Sequence, residues 1–340
     1  MKTKATELLK TLAEEGDVQE TLTGYVGRFR NNGIDDISNR LKNASRLSRE
    51  YYSLVTDFYL NAWGTMFHFG VRKKGQRFRD SLVQHEWFLA GKLQLREGEK
   101  CLDIGCGVGG PMLNIAGKTK ASITGINNSA YQLRKARQLV KKEGLEKNCT
   151  FVECDWMQIP LGSESFDKAY AIEATCHAAD RRVEVFREIH RLLKPGGLFA
   201  GYEWTLTEKF EPGNPAHRQI KHGIQIGNAL SNLNYPDDVM KALQQAGFEV
   251  LECRDRAGDC DPETPWYLPL KGEGGSLQLI RMSPIGRLFM RNLIRVLEAI
   301  RILPKGTLQV SKLLNIAGES LVKGGEAGIF TPMLFFLARK

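Results

Sequence analysis

Apolar residues between positions 100 and 204 follow two alternating patterns. Short, nearly continuous apolar runs predict β-strands, and longer segments with an apolar residue every three or four positions predict helices. The predicted strands are 100–104, 121–126, 149–153, 166–172 and 198–204. The predicted helices between them are 111–117, 130–143 and 182–193. Strands that alternate with helices in this way favour an α/β fold with a parallel, doubly wound sheet.

The chain on either side of this region has a different character. Residues 1–43 are polar and predict helical structure with a break near Gly16, and 47–61 and 78–95 predict two further helices. At the other end a mixed helical insert precedes a last apolar strand, 329–339, which we expect to join an edge of the sheet as a late hairpin partner. These changes divide the chain into a helical N-terminal extension and lid (1–78), a core (79–205) and a C-terminal region that completes the sheet (206–340).

Composition narrows the class of protein. Of the 340 residues, 42% are hydrophobic and 26% are charged, which indicates a globular chain with a sizeable core rather than a disordered one. The seven cysteines are an odd number, and no Cys/His set has zinc-site spacing, so we expect reduced thiols and no metal. The N-terminus lacks the apolar core of a secretory signal, and no apolar run is long enough to span a bilayer. A cytoplasmic protein is the prediction.

The positive charge is concentrated near the C-terminus. The chain carries a formal +9, and residues 278–340 alone hold ten Lys or Arg against three acids. A nucleic-acid binder would more often spread its basic surface over the fold or place it in a tail, so an RNA methyltransferase, suggested only by the pI, is disfavoured. Within 287–303 three arginines recur every four residues. The opposing apolar set is Phe289, Met290, Leu293, Leu297 and Ile300. Such a helix indicates either a membrane-surface element or a solvated arginine face over a packed helix.

The segment 102–110 joins the first predicted strand to the first predicted helix of the core, and it contains glycines at 105, 107 and 109. Glycine lets the backbone turn tightly and approach a ligand where side chains would clash. Asp103 ends the strand, where it would repel a dinucleotide phosphate and attract an ammonium group. The pattern favours S-adenosylmethionine (SAM), which has an amino acid tail, a sulfonium and no phosphate. A glycine turn in an ordinary strand–helix unit is the alternative.

The ends of the next three strands carry residues that suit the same ligand. Asn127 and Asn128 follow the second strand, where a ribose-binding acid is usual, and an amide accepts hydrogen bonds less strongly than a carboxylate. Asp155 and Trp156 follow the third strand, where they suit an adenine amino group and the face of the base. For Trp156 alone, a core aromatic is the commoner reading. The fourth strand leads to 173–177, which we expect to face the reaction centre.

Several stretches resemble the sterol C-methyltransferases, a group within the SAM-dependent class I methyltransferase superfamily. They are 51–59, 67–69, 102–111, 170–178, 193–197, 202–204, 214–218, 265–267 and 330–333. The glycine loop is common to the superfamily, whereas Ile-Glu-Ala-Thr-Cys-His-Ala at 172–178 and the C-terminal stretches are specific to the sterol group. The resemblance runs from about residue 50 to the C-terminus. It implies a seven-stranded Rossmann-like sheet, SAM as methyl donor and a sterol as acceptor.

The resemblance also implies which residues form the site. The residues expected to bind SAM are Tyr52, Asp103, Gly105, Cys106, Gly107, Gly109, Asn127, Asn128, Gln132, Asp155 and Trp156. Family enzymes usually methylate carbon 24 of an unsaturated side chain: the alkene attacks the methyl group, a cation forms, a hydride shifts and a base removes a proton. The catalytic candidates by motif position are Glu173, His177, Tyr59 and Glu203. For Glu203, capping or bridging near the fifth strand is the alternative.

One departure from the family leaves the acceptor carbon open. The family usually has Tyr-Glu-Tyr-Gly-Trp-Gly, and this chain has Leu60 and Asn61 in place of the acid and the second tyrosine. Carbon 24 stays slightly favoured. The first alternative is carbon 4 of a 3-keto sterol, whose enol needs a base and an oxyanion donor. The second is a non-catalytic sterol- or SAM-binding protein.

The acceptor class also suggests a location. Sterols reside in bilayers, so the basic segment 281–301 predicts peripheral contact with anionic membrane, at the endoplasmic reticulum or another sterol-containing membrane. A homo-oligomer is left open, and no nucleic-acid partner is expected.

Overall fold

The α/β sheet predicted from the sequence has seven strands in the order β3-β2-β1-β4-β5-β7-β6. The strands are β1 (Lys100–Ile104), β2 (Ser122–Asn127), β3 (Cys149–Glu153), β4 (Phe166–Ile172), β5 (Leu193–Leu206), β6 (Glu249–Asp255) and β7 (Phe330–Arg339). The first five pair in parallel, and β7 runs antiparallel to both of its neighbours. The computed structural model describes residues 18–29, 34–273 and 283–340. The predicted seven-stranded fold is confirmed.

The helices predicted at 47–61, 78–95, 111–117, 130–143 and 182–193 are present with shifts of a few residues, and three more lie in the described part of the C-terminal region, at positions where no bounds were predicted. The described helices are α1 (Val18–Gly27), α2 (Ile34–Lys42), α3 (Ala44–Ala62), α4 (Phe78–Lys92), α5 (Gly110–Thr119), α6 (Ala130–Glu143), α7 (Arg182–Leu192), α8 (Pro215–Gly227), α9 (Pro236–Gln245), α10 (Pro284–Ala299) and α11 (Thr307–Glu326). None of the described helices combines the length and the apolar content that crossing a bilayer requires. The predicted break near Gly16 lies outside the described residues.

The expected position of the last strand at the sheet edge is wrong. β7 lies between β5 and β6, so both of its edges are paired. The edge strand on that side is β6, which the apolar pattern missed because its sequence, Glu-Val-Leu-Glu-Cys-Arg-Asp, is mostly polar. Edge strands carry charged residues more readily than inner strands because one of their sides meets solvent.

Two compact units make up the chain. The first comprises Met1–Gly64, Glu211–Ser231 and Tyr267–Glu326, and the second comprises Thr65–Phe210, Asn232–Trp266 and Ala327–Lys340. Each unit is therefore assembled from separate stretches of sequence. The division of the chain at residues 78 and 205 remains a prediction.

Each unit has its own buried core. In the first, aromatic and aliphatic side chains of α1, α3 and α11 pack together, among them Tyr25, Tyr51 and Val310. In the second, one apolar cluster joins the sheet to α7 and α9, and another joins it to α4 and α5. Alternate residues of β1 serve the two clusters, because successive side chains on a strand point to opposite faces. Leu102 belongs to one cluster and Cys101 to the other.

Candidate active site

The glycine loop between β1 and α5 folds tightly against β2. The backbone N–H groups of Gly105 and Cys106 both donate to the carbonyl oxygen of Ile126, at 3.0 and 3.1 Å. Gly105 has φ +77°, and a Cβ there would lie 2.6 Å from that of Ala174, so only glycine fits. A Cβ at Gly107 would meet no atom within 4 Å, so the loop is open at that point. Open space above a glycine loop is what a ligand needs to approach the backbone.

Asp103 lies beneath this loop and is only 3% exposed. The hydroxyl of Tyr170 donates to its Oδ2 at 2.9 Å. Burial raises the pKa of Asp103 to about 7, although the Tyr170 hydrogen bond lowers it. A cation that approached the other oxygen would favour the carboxylate form. The environment is therefore suited to an ammonium group.

The predicted residues after β2 contact one another. The Asn127 side-chain amide donates to Gln132 Oε1 at 2.8 Å and to the Gly107 carbonyl at 3.4 Å. Asn127 Oδ1 accepts from the Ser129 backbone N–H at 3.3 Å. Asn128 is half-buried beside them. The structure thus brings the loop, the end of β2 and the start of α6 together.

The predicted pair after β3 is divided between surface and core. Asp155 is exposed, and its Oδ1 accepts from the Met157 N–H at 2.9 Å in a local turn. Trp156 packs against the apolar cluster that contains Ile104 and Ile126, which agrees with the alternative that it is a core aromatic. Its indole N–H is nevertheless buried and has no acceptor among the described residues. Because an unsatisfied buried donor costs about 1–3 kcal/mol, an acceptor on a bound ligand would relieve it.

Glu173 follows β4 in a left-handed backbone conformation, φ 53°. Its Oε1 accepts from the Phe69 backbone N–H and its Oε2 from the Trp204 indole, each at 2.7 Å. Burial raises the pKa of Glu173 to about 7, and the charge of His68 and these two donors lower it. A non-glycine residue in this conformation carries strain that the surrounding structure must hold.

The Trp204 ring that donates to this carboxylate belongs to a cluster of four aromatic rings. Phe69 is 6.0 Å from Trp204 and 4.9 Å from Trp266, measured between ring centroids. Phe330 is 5.3 Å from Trp204 and 5.8 Å from Trp266. All four are buried. The rings meet tilted or edge to face, with interplanar angles of 46° to 78°. An aromatic cluster that meets a buried carboxylate is suited to a cation.

His68 directly precedes Phe69, whose backbone N–H donates to Glu173. Its Nδ1 lies 2.6 Å from the Phe69 carbonyl oxygen and its Nε2 lies 2.9 Å from Glu86 Oε1. The Phe69 carbonyl oxygen can only accept, so Nδ1 carries a proton, and an ionised Glu86 carboxylate makes Nε2 a second donor. Burial would lower the pKa of His68, but Glu86 outweighs it and raises the pKa above its ordinary value. Glu86 also accepts from the Asn114 side chain at 2.8 Å.

Sequence reasoning did not assign His68, Glu86, Phe69, Trp204, Trp266 or Phe330 to the site. Most of them lie inside the stretches that resemble the sterol group, and that membership was the available signal. Their convergence depends on tertiary contacts between positions as far apart as 69 and 173.

Glu203, in β5, occupies a different kind of position. It is fully buried, and Arg182 Nε and Nη2 donate to its Oε2 at 3.1 and 3.0 Å. Thr175 donates to its other oxygen. Burial raises the pKa of Glu203, and the Arg182 charge offsets this. This contact set favours the bridging role over proton transfer. His177 is buried nearby in the short 3₁₀ segment Thr175–Arg181.

The two predicted tyrosines belong to the first unit. The Tyr51 hydroxyl donates to the Gly227 carbonyl at 2.6 Å, so in its 2.6 Å contact with Tyr59 it accepts and Tyr59 donates. Tyr52 is half-buried with its ring 5.3 Å from that of Tyr51. The roles assigned to Tyr59 and Tyr52 remain predictions, as do those of the other site residues. Among residues 18–29, 34–273 and 283–340, no group of three or more His, Cys, Asp or Glu side chains could hold a metal ion.

Comparison with known proteins gives concordant matches along the chain. A methyltransferase domain model matches residues 102–201, and a sterol methyltransferase C-terminal model matches 277–340. The cycloartenol-C-24-methyltransferase of Arabidopsis thaliana is 45% identical over 301 residues, which are 88% of this chain and 89% of the relative. The sterol 24-C-methyltransferase ERG6 of Saccharomyces cerevisiae is 41% identical over 335 residues, 96% of this chain and 86% of the relative.

A solved structure agrees in fold. The mycolic acid cyclopropane synthase CmaA1, complexed with SAH and CTAB, matches with a TM-score of 0.67 and 18% identity over 86% of this chain and 97% of that chain. At that identity the likeness concerns the fold alone.

Proposed function

This chain belongs to the sterol methyltransferase family, and on that premise we propose that it transfers the methyl group of SAM to carbon 24 of an unsaturated sterol side chain. The plant and yeast relatives are both named as C-24 methyltransferases, which supports the choice of carbon. Leu60 and Asn61 alone do not favour methylation of carbon 4 or a non-catalytic protein over this reaction.

The residues around the glycine loop fit SAM. The open space at Gly107 admits a ligand, and the buried indole N–H of Trp156 has no acceptor among the described residues, so a ligand could supply one. Asp103, beneath the loop, would hold the ammonium group of the amino acid tail. SAM would supply an electrophilic methyl carbon on a sulfonium.

The observation that carries the proposal is the buried Glu173 carboxylate bonded to Trp204, a member of a cluster of four aromatic rings. When the alkene attacks the methyl carbon, a C–C bond forms, the C–S bond breaks and positive charge moves onto the sterol. The faces of Phe69, Trp204, Trp266 and Phe330 stabilise that charge, and burial keeps water from capturing it. After a hydride shift, Glu173 takes a proton and the C–H electron pair forms the new alkene.

The pKa of Glu173 suits this step. A base works best when its pKa lies near the operating pH, and burial raises the pKa of Glu173 to about 7. Its two N–H donors fix its orientation, and the imidazolium of His68 keeps the pKa from rising further. The chemistry described requires no metal.

Product analysis tests the proposal. The protein is incubated with methyl-labelled SAM and either a sterol with a side-chain alkene or a 3-keto sterol without one, and mass spectrometry locates the label. We expect label at carbon 24 of the first substrate only. Label only in the 3-keto sterol would favour carbon 4, and no label in either would favour a binding protein.

The proposed location of the protein in the cell follows from its sterol substrate. The protein would act in the cytoplasm, peripheral to the endoplasmic reticulum or another sterol-containing membrane, with the segment 281–301 against anionic lipid. Arg281 lies outside the described residues. Homo-oligomer formation remains a prediction.

A further inference from the structure

Helix α10 turns an apolar stripe towards solvent. Its members recur every three or four residues and so share one face: Ile285, Leu288, Phe289, Leu293, Val296 and Ile300. Ile285 is 81% exposed and Phe289 is 66% exposed, whereas Ile294 on the opposite face is buried. Of the ten large apolar side chains exposed among the described residues, eight lie between Ile285 and Ile316. The sequence-based alternative of a packed apolar face is therefore wrong for Phe289, Leu293 and Ile300.

Cations border this stripe. Arg291 and Arg295 are exposed on α10. At the C-terminal end of the helix a cleft of about 690 Å³ is lined by Arg295, Arg301 and Lys305, by one acid, Glu298, and by apolar residues. In the described part of the chain none of these three has an ion-pair partner.

The acid that lines the cleft, Glu298, offsets only one of its three cations. Glu298 is the single acidic residue between positions 287 and 312. Its carboxylate oxygens accept from the backbone N–H groups of Gly306 and Leu308, at 3.1 and 2.8 Å, at the start of α11. The cleft therefore keeps an excess of positive charge beside exposed apolar surface.

We propose that α10 docks on an anionic phospholipid bilayer, with its apolar stripe at the boundary of headgroups and acyl chains and a lipid phosphate in the cleft of Arg295, Arg301 and Lys305. Exposed apolar area next to unpaired cations matches that surface in both polarity and charge. A second copy of the chain is a poorer fit, since a symmetric contact would bring the same cations together. The inference rests on the proposed function in one respect: a sterol substrate gives the protein a reason to bind a bilayer. Docking itself requires no methyl transfer.

Vesicle co-sedimentation tests the stripe. Wild-type protein should bind phosphatidylcholine vesicles that contain phosphatidylserine and should not bind phosphatidylcholine alone. Phe289→Glu should weaken binding by about tenfold or more, because a charge replaces an inserted ring. Leu251→Glu, on the exposed face of β6, makes a like change elsewhere and should bind as wild type does. Circular dichroism on each variant checks folding.

Charge removal tests the cleft. The triple variant Arg295→Gln/Arg301→Gln/Lys305→Gln should bind on the order of a hundredfold more weakly at low salt. The control, Lys141→Gln/Lys142→Gln/Lys147→Gln, removes the same charge from exposed positions in and after α6 and should stay within about threefold of wild type.

Three results would overturn the proposal. The first is equal binding to neutral and anionic vesicles, or none to either. The second is a wild-type dimer that Phe289→Glu makes monomeric while vesicle binding persists, which would assign the stripe to a second copy. The third is binding of inorganic phosphate, lost in the triple variant, without vesicle binding. Turnover of cyclodextrin-delivered sterol is measured separately: if it is absent while vesicle binding holds, the proposed function fails and the docking stands.

Discussion

Glu173 and Glu203 are two buried carboxylates of the same unit in opposite surroundings. Glu173 is 6% exposed and both of its oxygens accept from neutral N–H groups, those of Phe69 and Trp204. Glu203 is fully buried, and one of its oxygens receives two hydrogen bonds from Arg182. Burial raises the pKa of both, for Glu173 to about 7.

The difference indicates that Glu173 can exchange a proton, whereas Glu203 has a structural role. Neutral donors orient a carboxylate without fixing its charge, whereas a bonded guanidinium, which stays charged, favours the ionised form. Arg182 also donates to the Ala179 carbonyl at 3.0 Å and to Asn234 at 2.7 Å. Ala179 has φ 47°, so the Glu203–Arg182 pair supports the strained segment that follows Glu173.

The largest effect is expected from Glu173→Gln. The substitution removes the proton acceptor, so kcat should fall by about 10²–10⁴-fold in steady-state assays with SAM and a side-chain alkene. In wild type at saturating SAM, kcat should rise with pH through about 7, because only the ionised Glu173 carboxylate accepts the proton.

Glu203→Gln is the matched control for that change. It should leave a pH-dependent kcat with the same inflection near 7, even if its lower stability reduces the active fraction. If Glu203→Gln abolished the inflection and Glu173→Gln kept it, the two roles would be exchanged.

The next effect concerns stability. Arg182→Met leaves Glu203 buried without its counter-charge and should lower the free energy of unfolding by about 3–5 kcal/mol. Removing both charges in Arg182→Met/Glu203→Leu should recover much of that loss. Chemical denaturation of both variants measures the free energy of unfolding. A double variant no more stable than the single one would mean that the loss does not come from the unpaired charge of Glu203.

More of the fold than of this distinction between Glu173 and Glu203 could be predicted from the sequence. The strands around the glycine loop were predictable because apolar runs, glycines and helix starts are local features. Glu173 and Glu203 were both candidates because one directly follows β4, the other lies in β5, and both belong to matching motifs. Which one meets a guanidinium depends on contacts with residues 21 and 104 positions away, and no local pattern records them.

Helix α10 is a second case in which the sequence predicts an element but not its surroundings. The sequence predicted an amphipathic helix there, and the structure has one. A periodic pattern does not say which face of a helix meets the protein, so the sequence alone could not predict that Phe289 is exposed.

A smaller effect is expected from the aromatic rings near Glu173. Trp266→Leu removes one face and should lower kcat by about 2–30-fold, since a cation–π contact contributes about 0.5–2 kcal/mol. Trp266→Phe keeps a ring and should lose less. KM should change little in either variant if the ring acts mainly on the developing cation. Equal losses in both would show that packing, and not the π face, matters at this position.

The smallest effect concerns Asp103 and tests its predicted role towards SAM. An ammonium group prefers the ionised carboxylate, so affinity for SAM, measured by calorimetry, should fall as pH drops below about 7. Tyr170→Phe removes the hydrogen bond that lowers the pKa of Asp103, so that pKa should rise further and affinity near pH 7 should fall by about fivefold, the equivalent of one hydrogen bond. The deficit should vanish at high pH, where Asp103 is ionised in both proteins. A deficit that persisted at every pH would place the effect of Tyr170 in packing and leave Asp103 without a part in binding the ammonium group.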